Sequence, residues 1–186
     1  NQTRTQDFYR ARLAQEKADL GLTVDSTAVR GFISQNKSAQ EMFREGQEAG
    51  TPAARIGAYR RLLDEYPQSD VSPQAQFMIG FVYSEELKNY DEAEKAFRDV
   101  LGAGPSPEER PDIEKWTAFS MFRAAERLPA SRGFDAGHLF LRIASEFPHL
   151  PIVPEARFRA GAAYADAGKD VEAIGAFLSV ESEHAS

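Results

Sequence analysis

Histidines and adjacent acidic residues are the side chains in this sequence whose chemistry could support acid–base catalysis or metal binding. They are His138, His149 and His184, and the pairs Glu85-Glu86, Asp91-Glu92 and Glu108-Glu109. No histidine has a metal-binding partner four residues away on a helix. Adjacent carboxylates point in different directions from a helix, so a pair cannot flank one bond. The sequence therefore predicts surface histidines and solvated acidic pairs, with no catalytic residue and no metal site.

Sequence motifs of enzymes and cofactor sites are also missing. The chain has no G-x-S-x-G, no P-loop, no G-x-G-x-x-G and no H-E-x-x-H. It has no cysteine, which excludes disulfides, thiolate metal sites and cysteine nucleophiles. We therefore expect a protein that is not an enzyme and that needs no cofactor.

The composition is that of an ordinary folded protein with a negative net charge. Of 186 residues, 42% are hydrophobic and 27% are charged, and the formal net charge is −7. This charge argues against nucleic acid or an anionic membrane as a partner, since both require a concentrated positive surface. No apolar run reaches the ~18 residues of a membrane span. Because the chain begins at Asn1 without Met or a signal peptide, we expect a processed form or a part of a longer protein.

Helical periodicity runs through nearly the whole chain, and β-branched residues are few. Four signals predict capped helix starts: Thr51-Pro52, Ser72-Pro73, Asp91 with Glu94, and Asp170. The predicted helices span residues 6–20, 36–49, 52–66, 73–87, 91–102, 112–128, 135–147, 154–167 and 171–183, with a weaker signal at 26–34. Short connections between them predict that consecutive helices pack as antiparallel neighbours.

One segment of eleven residues occurs twice. PQAQFMIGFVY at 73–83 returns 81 positions later as PEARFRAGAAY at 154–164, with Pro, Ala, Phe, Gly and Tyr in the same register. Gly80 in this pattern is predicted to let a second helix approach closely. An aromatic residue eight positions before a proline also recurs, at Tyr59, Phe97 and Phe140. The two patterns together predict a unit of two helices that is repeated along the chain.

These residues resemble the tetratricopeptide repeat family, whose unit is a helix–turn–helix of about 34 residues. One copy at the family's spacing has Gly161, Tyr164, Gly168, Ala173 and Phe177. Another has Ala75, Ile79, Gly80, Tyr83, Tyr90, Ala93, Phe97 and Pro105, with one extra residue in its turn, SEELKN. Two further copies are less regular. The copy ending at Pro148 departs from the pattern around Trp116, and the copy ending at Pro67 has Arg55 where a small residue is expected.

The resemblance implies an all-α fold, a right-handed α–α superhelix of about four helical hairpins plus an N-terminal helix. Residues 36–186 would form the tetratricopeptide-like repeat domain, because one hairpin cannot bury its own apolar face and neighbours must stack. Residues 1–35 fit no repeat and contain an amphipathic stretch, DFYRARLAQEKADLGL. We expect this segment to be a helical cap or connector, with a docking helix for another subunit as the alternative.

Within the family, the stretch YRRLLDEYPQSDVSPQAQFMIGFVY is similar to repeats of bacterial envelope proteins. These include the lipoprotein subunit of the outer-membrane protein assembly machinery and the periplasmic coordinator of cell-wall and outer-membrane constriction. The resemblance implies a location in the bacterial periplasm or associated with the envelope. A cytoplasmic location is the alternative.

The family pattern also implies a binding surface on the concave side, which the first helix of each hairpin lines. Phe77, Phe81 and Phe158 would point into this groove and receive an apolar side chain of a bound peptide or helix. Polar contacts would come from Gln74, Ser84, Glu155 and Arg159. The alternative is that the phenylalanines pack on neighbouring helices. Trp116 is predicted to lie in the core rather than in an interface.

The expected function is a non-catalytic scaffold that binds a peptide, helix or partner subunit through the repeat surface, in a complex of the bacterial cell envelope. A structural accessory subunit, with an empty groove and broad faces packed against neighbours, is one alternative. The helical arm of a longer envelope enzyme or foldase is another. The partners are predicted to be proteins and not nucleic acid, and the oligomeric state stays open.

Overall fold

Residues 37–184 are described by the structure, a computed structural model. The helix predicted at 6–20, the weaker signal at 26–34 and the expected cap or connector of residues 1–35 lie outside the described residues. Within the described range every regular element is helical and no strand occurs. The all-α fold predicted from the sequence is thus confirmed for this part of the chain.

Eight α-helices make up the described range. They are α1 (Ala39–Glu48), α2 (Pro52–Glu65), α3 (Ser72–Phe81), α4 (Tyr90–Gly102), α5 (Arg110–Glu126), α6 (Gly133–Glu146), α7 (Val153–Asp166) and α8 (Asp170–His184). A π-helical turn, Val82–Glu86, continues α3, and a 3-10 turn, Ala130–Arg132, precedes α6. The helices predicted after residue 35 are confirmed, with each end within three residues of its predicted position once the π-helical turn is counted with α3.

The capping predictions for α2 and α3 had different outcomes. Thr51 caps α2 as predicted, because its Oγ1 accepts a hydrogen bond from the Ala54 N–H at 3.2 Å. The prediction for Ser72 was wrong. Ser72 is the first residue of α3 rather than its cap, and its buried hydroxyl donates to the Tyr66 carbonyl at 2.5 Å. The serine therefore joins the end of α2 to the start of α3.

The start of α4 also differs from its prediction. Asn89 is the N-cap, and its side chain accepts a hydrogen bond from the Glu92 N–H at 3.4 Å. Asp91 already lies inside the helix, in its first turn, where a negative charge is favoured by the helix dipole. The capping box predicted for Asp91 and Glu94 was wrong, because the helix begins earlier and Asn89 is its cap.

The hairpins α1–α2, α3–α4, α5–α6 and α7–α8 pack one after another. Besides the two helices of each hairpin, the extensive contacts join α2 to α3, α4 to α5 and α6 to α7. The buried side chains form three adjoining clusters, which the partly buried Tyr83 and Leu101 connect. This arrangement is a solenoid of helical hairpins, as the repeated sequence pattern predicted.

In three hairpins, an aromatic ring of the second helix packs against a glycine of the first helix. The pairs are Gly46 with Tyr59, Gly80 with Phe97, and Gly161 with Phe177. A Cβ atom added to Gly80 would lie only 2.7 Å from the Phe97 ring, and Phe97 is fully buried. The prediction that Gly80 permits a close helix–helix approach is confirmed.

Successive hairpins are joined through a tyrosine near the end of the first helix. The Tyr164 ring of α7 lies over Gly137 of α6, where an added Cβ would be 2.5 Å from the ring. The equivalent Tyr83 accepts a hydrogen bond at 2.9 Å from Arg60 Nη2 on α2. Each tyrosine therefore contacts the second helix of the preceding hairpin.

Four charged side chains connect α4 with α6. Each arginine bonds a glutamate four residues away on its own helix and a glutamate on the other helix. Across the helices, Arg98 Nη2 lies 2.6 Å from Glu146 Oε2, and Arg142 Nη2 lies 3.0 Å from Glu94 Oε1. Partial burial alone would raise the pKa of Glu146, but the hydrogen bonds and charges of Arg98 and Arg142 outweigh it and hold that pKa below its usual value.

We expect Glu146→Gln to lower the free energy of unfolding by about 0.5–1 kcal/mol near neutral pH, as partly exposed ion pairs do. Because the pKa of Glu146 is lower in the folded than in the unfolded protein, this stabilisation is complete only above the unfolded pKa of about 4.3. It is lost as the pH falls through the folded pKa. Urea unfolding of both proteins from about pH 7 to pH 3 measures the difference. A difference that stays constant over this range would contradict the ion-pair explanation.

Candidate functional site

A mostly apolar cleft of about 320 Å³ opens beside the first helices of the first three hairpins. Residues of α1, α3, α5, the end of α4 and the loop after it line it. They are Phe43, Pro73, Gln74, Phe77, Met78, Val100, Pro105, Glu109, Asp112 and Ile113. Two of the predicted groove residues, Gln74 and Phe77, are therefore brought together in one cavity.

The aromatic walls of the cleft rest on the repeat core. The half-buried Phe77 ring lies 5.2 Å from the Phe97 ring, and the half-buried Phe43 ring lies 5.5 Å from the Tyr59 ring. Phe97 and Tyr59 are fully buried, so their positions are fixed by the helix packing. The walls of the cleft therefore pack on buried side chains and do not require a bound partner to form.

The charged residues that line the cleft are acidic. Glu109 Oε2 accepts a hydrogen bond from the Ser106 N–H at 3.2 Å, and Asp112 Oδ1 accepts one from Lys115 Nζ at 2.9 Å. A carboxylate has several lone-pair sites, so each can accept further hydrogen bonds. No Lys or Arg lines the cleft. The arrangement favours an apolar side chain that is accompanied by N–H donors or a positive charge.

Ser84 and Phe81 lie outside the cleft. The Ser84 side chain is fully buried, because the π-helical turn directs it inward, and its hydroxyl donates to Glu85 Oε1 at 3.3 Å. Ser84 therefore cannot offer a polar contact to a partner, which corrects the expectation for this residue. Phe81 is half-buried and packs edge-on against Trp116, with ring centroids 5.2 Å apart. Trp116, which was predicted to lie in the core, is only partly buried and packs against the buried cluster around Phe97.

The remaining predicted groove residues lie on α7, apart from the cleft. Phe158 is 53% exposed, and its ring lies 5.7 Å from that of Phe177. Arg159 Nε donates to Glu155 Oε1 at 2.7 Å, and both side chains are exposed. The structure therefore divides the predicted groove into a cleft around Phe77 and a separate exposed surface on the last hairpin.

Phe43 and Ile113 are cleft residues that the sequence interpretation did not identify. A signal for Phe43 was available, since a phenylalanine precedes the close-approach glycine by three residues in three first helices. These are Phe43 before Gly46, Phe77 before Gly80, and Phe158 before Gly161. Each of these phenylalanines also packs on the aromatic ring that covers its glycine. Ile113 had no comparable signal, because its helix departs from the repeat pattern.

The histidines are not assembled into a site. His149 Nε2 lies 2.9 Å from Glu114 Oε2, and the exposed His138 ring packs edge-on against Phe134 at 4.6 Å. The side chain of His184 is outside the described residues. Within the described part of the chain, no group of three or more His, Asp or Glu residues could hold a metal ion. Every helix between residues 37 and 184 is too short or too polar to cross a bilayer.

Comparison with known families finds a match at the second hairpin. Residues 74–103, which include most of α3, the π-helical turn and α4, match the family model of the tetratricopeptide repeat. No curated protein matches the chain. The second hairpin is thus similar to tetratricopeptide repeats, units that generally mediate protein–protein interactions, and it lies within a solenoid of helical hairpins.

Proposed function

We propose that the chain is a non-catalytic scaffold that binds a protein partner, presented as a peptide, a helix or a subunit surface, in the cleft around Phe77. The observation that carries this proposal is the cleft itself. It is concave, mostly apolar and supported by the buried repeat aromatics, which are the properties of a preformed ligand site. It lies at the hairpin that matches a family of protein-interaction repeats.

The lining indicates what part of a partner would bind. A cavity of about 320 Å³ is large enough for one or two apolar side chains and too small for a folded domain. The exposed Gln74 amide can donate to and accept from a peptide backbone. Glu109 and Asp112 would accept hydrogen bonds from backbone N–H groups or from a basic side chain beside the apolar anchor.

We further propose that this scaffold works in the bacterial cell envelope and that residues 1–35 form a cap or connector for the repeat domain of residues 36–186. The similarity of residues 59–83 to repeats of envelope proteins supports the location. Fractionation of the source cells with an antibody against the chain tests it. Recovery with the cytoplasmic fraction would contradict the envelope location without affecting the cleft.

Phe77→Ala is expected to weaken binding of cleft ligands at least tenfold, because truncation of a central aromatic anchor commonly costs more than about 1–2 kcal/mol. The ligands are peptides selected from a phage-displayed random library on the unmodified chain, and their affinities are measured by fluorescence anisotropy. The matched control is Phe158→Ala, which changes the equivalent residue of the last hairpin outside the cleft.

For every selected peptide whose affinity Phe77→Ala lowers, the control should bind as the unmodified chain does, and both variants should unfold cooperatively on heating. The proposal fails if the library yields no binder. It also fails if Phe77→Ala binds every selected peptide normally.

A further inference from the structure

The last hairpin carries an exposed apolar surface. Seven large hydrophobic side chains are exposed in the part of the chain whose side chains are described, and five of them lie on this hairpin. We call these five the end face: Phe158 of α7, with Val171, Ile174, Phe177 and Leu178 of α8. Val171, Ile174 and Leu178 follow helical spacing and therefore share one side of α8. Such a concentrated apolar surface marks an interaction site.

The side of α8 that presents Ile174 and Leu178 is not its core side. Ala173 and Ala176, on the same helix, are 4% exposed and belong to the core cluster formed with α5, α6 and α7. Ile174 and Leu178 are 59% and 60% exposed. The helix therefore has one apolar side that packs inward and a second apolar side that nothing in the described residues covers.

In the other three hairpins, the second helix is equivalent to α8, and the side that corresponds to Ile174 and Leu178 is covered. The relevant positions are three residues before and one residue after the repeat aromatic. In α6, Gly137 precedes Phe140 by three residues and is covered by Tyr164 of the following hairpin. In α2, Arg60 directly follows Tyr59 and bonds Tyr83 of the following hairpin.

The remaining internal junction, between the second and third hairpins, follows the same rule. In α4, Glu94 and Arg98 occupy these positions around Phe97, and both pair with charged residues of α6 in the following hairpin. Ile174 and Leu178 are the equivalent positions around Phe177 in α8. At each internal junction at least one of these two positions contacts the hairpin that follows, and in two of the three junctions a tyrosine near the end of its first helix makes the contact.

From this we propose that the end face binds an amphipathic α-helix of a partner protein, with an aromatic side chain between Ile174 and Leu178. Charge indicates the flanks of that helix. Residues 170–184 contain four acidic residues and no Lys or Arg. A helix with basic flanks is therefore complementary to α8, whereas a second copy of α8 would bring like charges together. This binding surface is separate from the cleft around Phe77.

A direct test uses α7 as the probe, because α7 already covers the equivalent side of α6 in this molecule. The probe is a synthetic, fluorescently labelled peptide of residues 153–168, VPEARFRAGAAYADAG, which contains α7 and its Tyr164. A short isolated helix is marginally stable, so the peptide is held helical by a covalent link between positions 155 and 159. In α7 these two positions are exposed, and their side chains bond each other.

The full chain is expected to bind this probe saturably in an anisotropy titration. Leu178→Glu should weaken binding at least tenfold, because it places a charge at the centre of the end face. The matched control is Leu87→Glu, which makes the same change at an exposed leucine outside the last hairpin and should bind normally. Binding should also weaken for a Tyr164→Ala peptide and strengthen at low salt for an Ala165→Lys peptide.

Three results would overturn the proposal. The first is the absence of saturable binding, and the second is equal affinity for the unmodified chain and Leu178→Glu. The third is a dimer of the unmodified chain in sedimentation velocity that Leu178→Glu dissociates, which would assign the end face to a second copy. Phe77→Ala should bind the probe normally, so failure at the cleft and failure at the end face can be told apart.

Discussion

Replacement of Phe97 by alanine is expected to lower the free energy of unfolding by about 3–5 kcal/mol, the usual cost of removing a buried phenylalanine. Phe97 is fully buried, lies against Gly80, and packs on the rings of Phe77 and Trp116. Its removal would leave a cavity at the junction of the second and third hairpins, where the surrounding backbone is fixed by helix packing. Chemical unfolding followed by circular dichroism measures the loss.

The matched control is Phe177→Ala. Phe177 occupies the same repeat position and covers Gly161, but it is 36% exposed in the last hairpin. We expect its replacement to cost less than half as much, because the transferred apolar area and the resulting cavity are both smaller. If both variants lost the same free energy of unfolding, the degree of burial would not explain how much this repeat aromatic stabilises the protein.

Gly80→Ala is expected to destabilise the chain by about 1–3 kcal/mol, although alanine is the better helix former by about 1 kcal/mol. The added Cβ would lie 2.7–3.0 Å from three atoms of the Phe97 ring. That ring is buried on all sides and cannot move away without displacing its neighbours. The two helices of the hairpin would have to separate.

Gly57→Ala provides a control of opposite sign. Gly57 lies inside α2 and is exposed, and apart from its chain neighbours and the backbone of its own helix no atom lies within 4 Å of an added Cβ. The same substitution should therefore stabilise the chain by about 0.5–1 kcal/mol, through the helix preference alone. A stabilising effect at both glycines would contradict the close approach at Gly80. Urea unfolding under identical conditions measures both.

Much of the fold could be predicted because its signals are local. Several prolines mark where a helix begins or ends, as Pro52 and Pro67 show, and the apolar period identifies the helices between them. The spacing of Gly80 and Phe97 encodes a contact within one hairpin, and the repetition of that spacing implies a stack. The helix bounds followed from these signals.

The candidate site was predicted only in part, because it depends on contacts between helices. Ser84 was expected to face a partner, but the π-helical turn rotates it into the core. Phe158 shares its sequence pattern with Phe77, yet it lies on the last hairpin and is exposed there. The cleft combines Phe43 and Asp112 from helices far apart in sequence, and no local pattern reports that they meet.

The π-helical turn at residues 82–86 has a consequence for how such chains change length. The Leu87 N–H bonds the Val82 carbonyl at 3.1 Å, so this turn holds one residue more than an α-helical turn. Gly80 and Phe97 are 17 positions apart, whereas Gly161 and Phe177 are 16 apart, and both pairs make the same contact. The extra residue lies in the π-helical turn that continues α3. The glycine–aromatic contact between the two helices of the hairpin is therefore the same as in the last hairpin. Single-residue insertions and deletions in evolution can therefore be accepted inside a helix of this stack as well as in its loops.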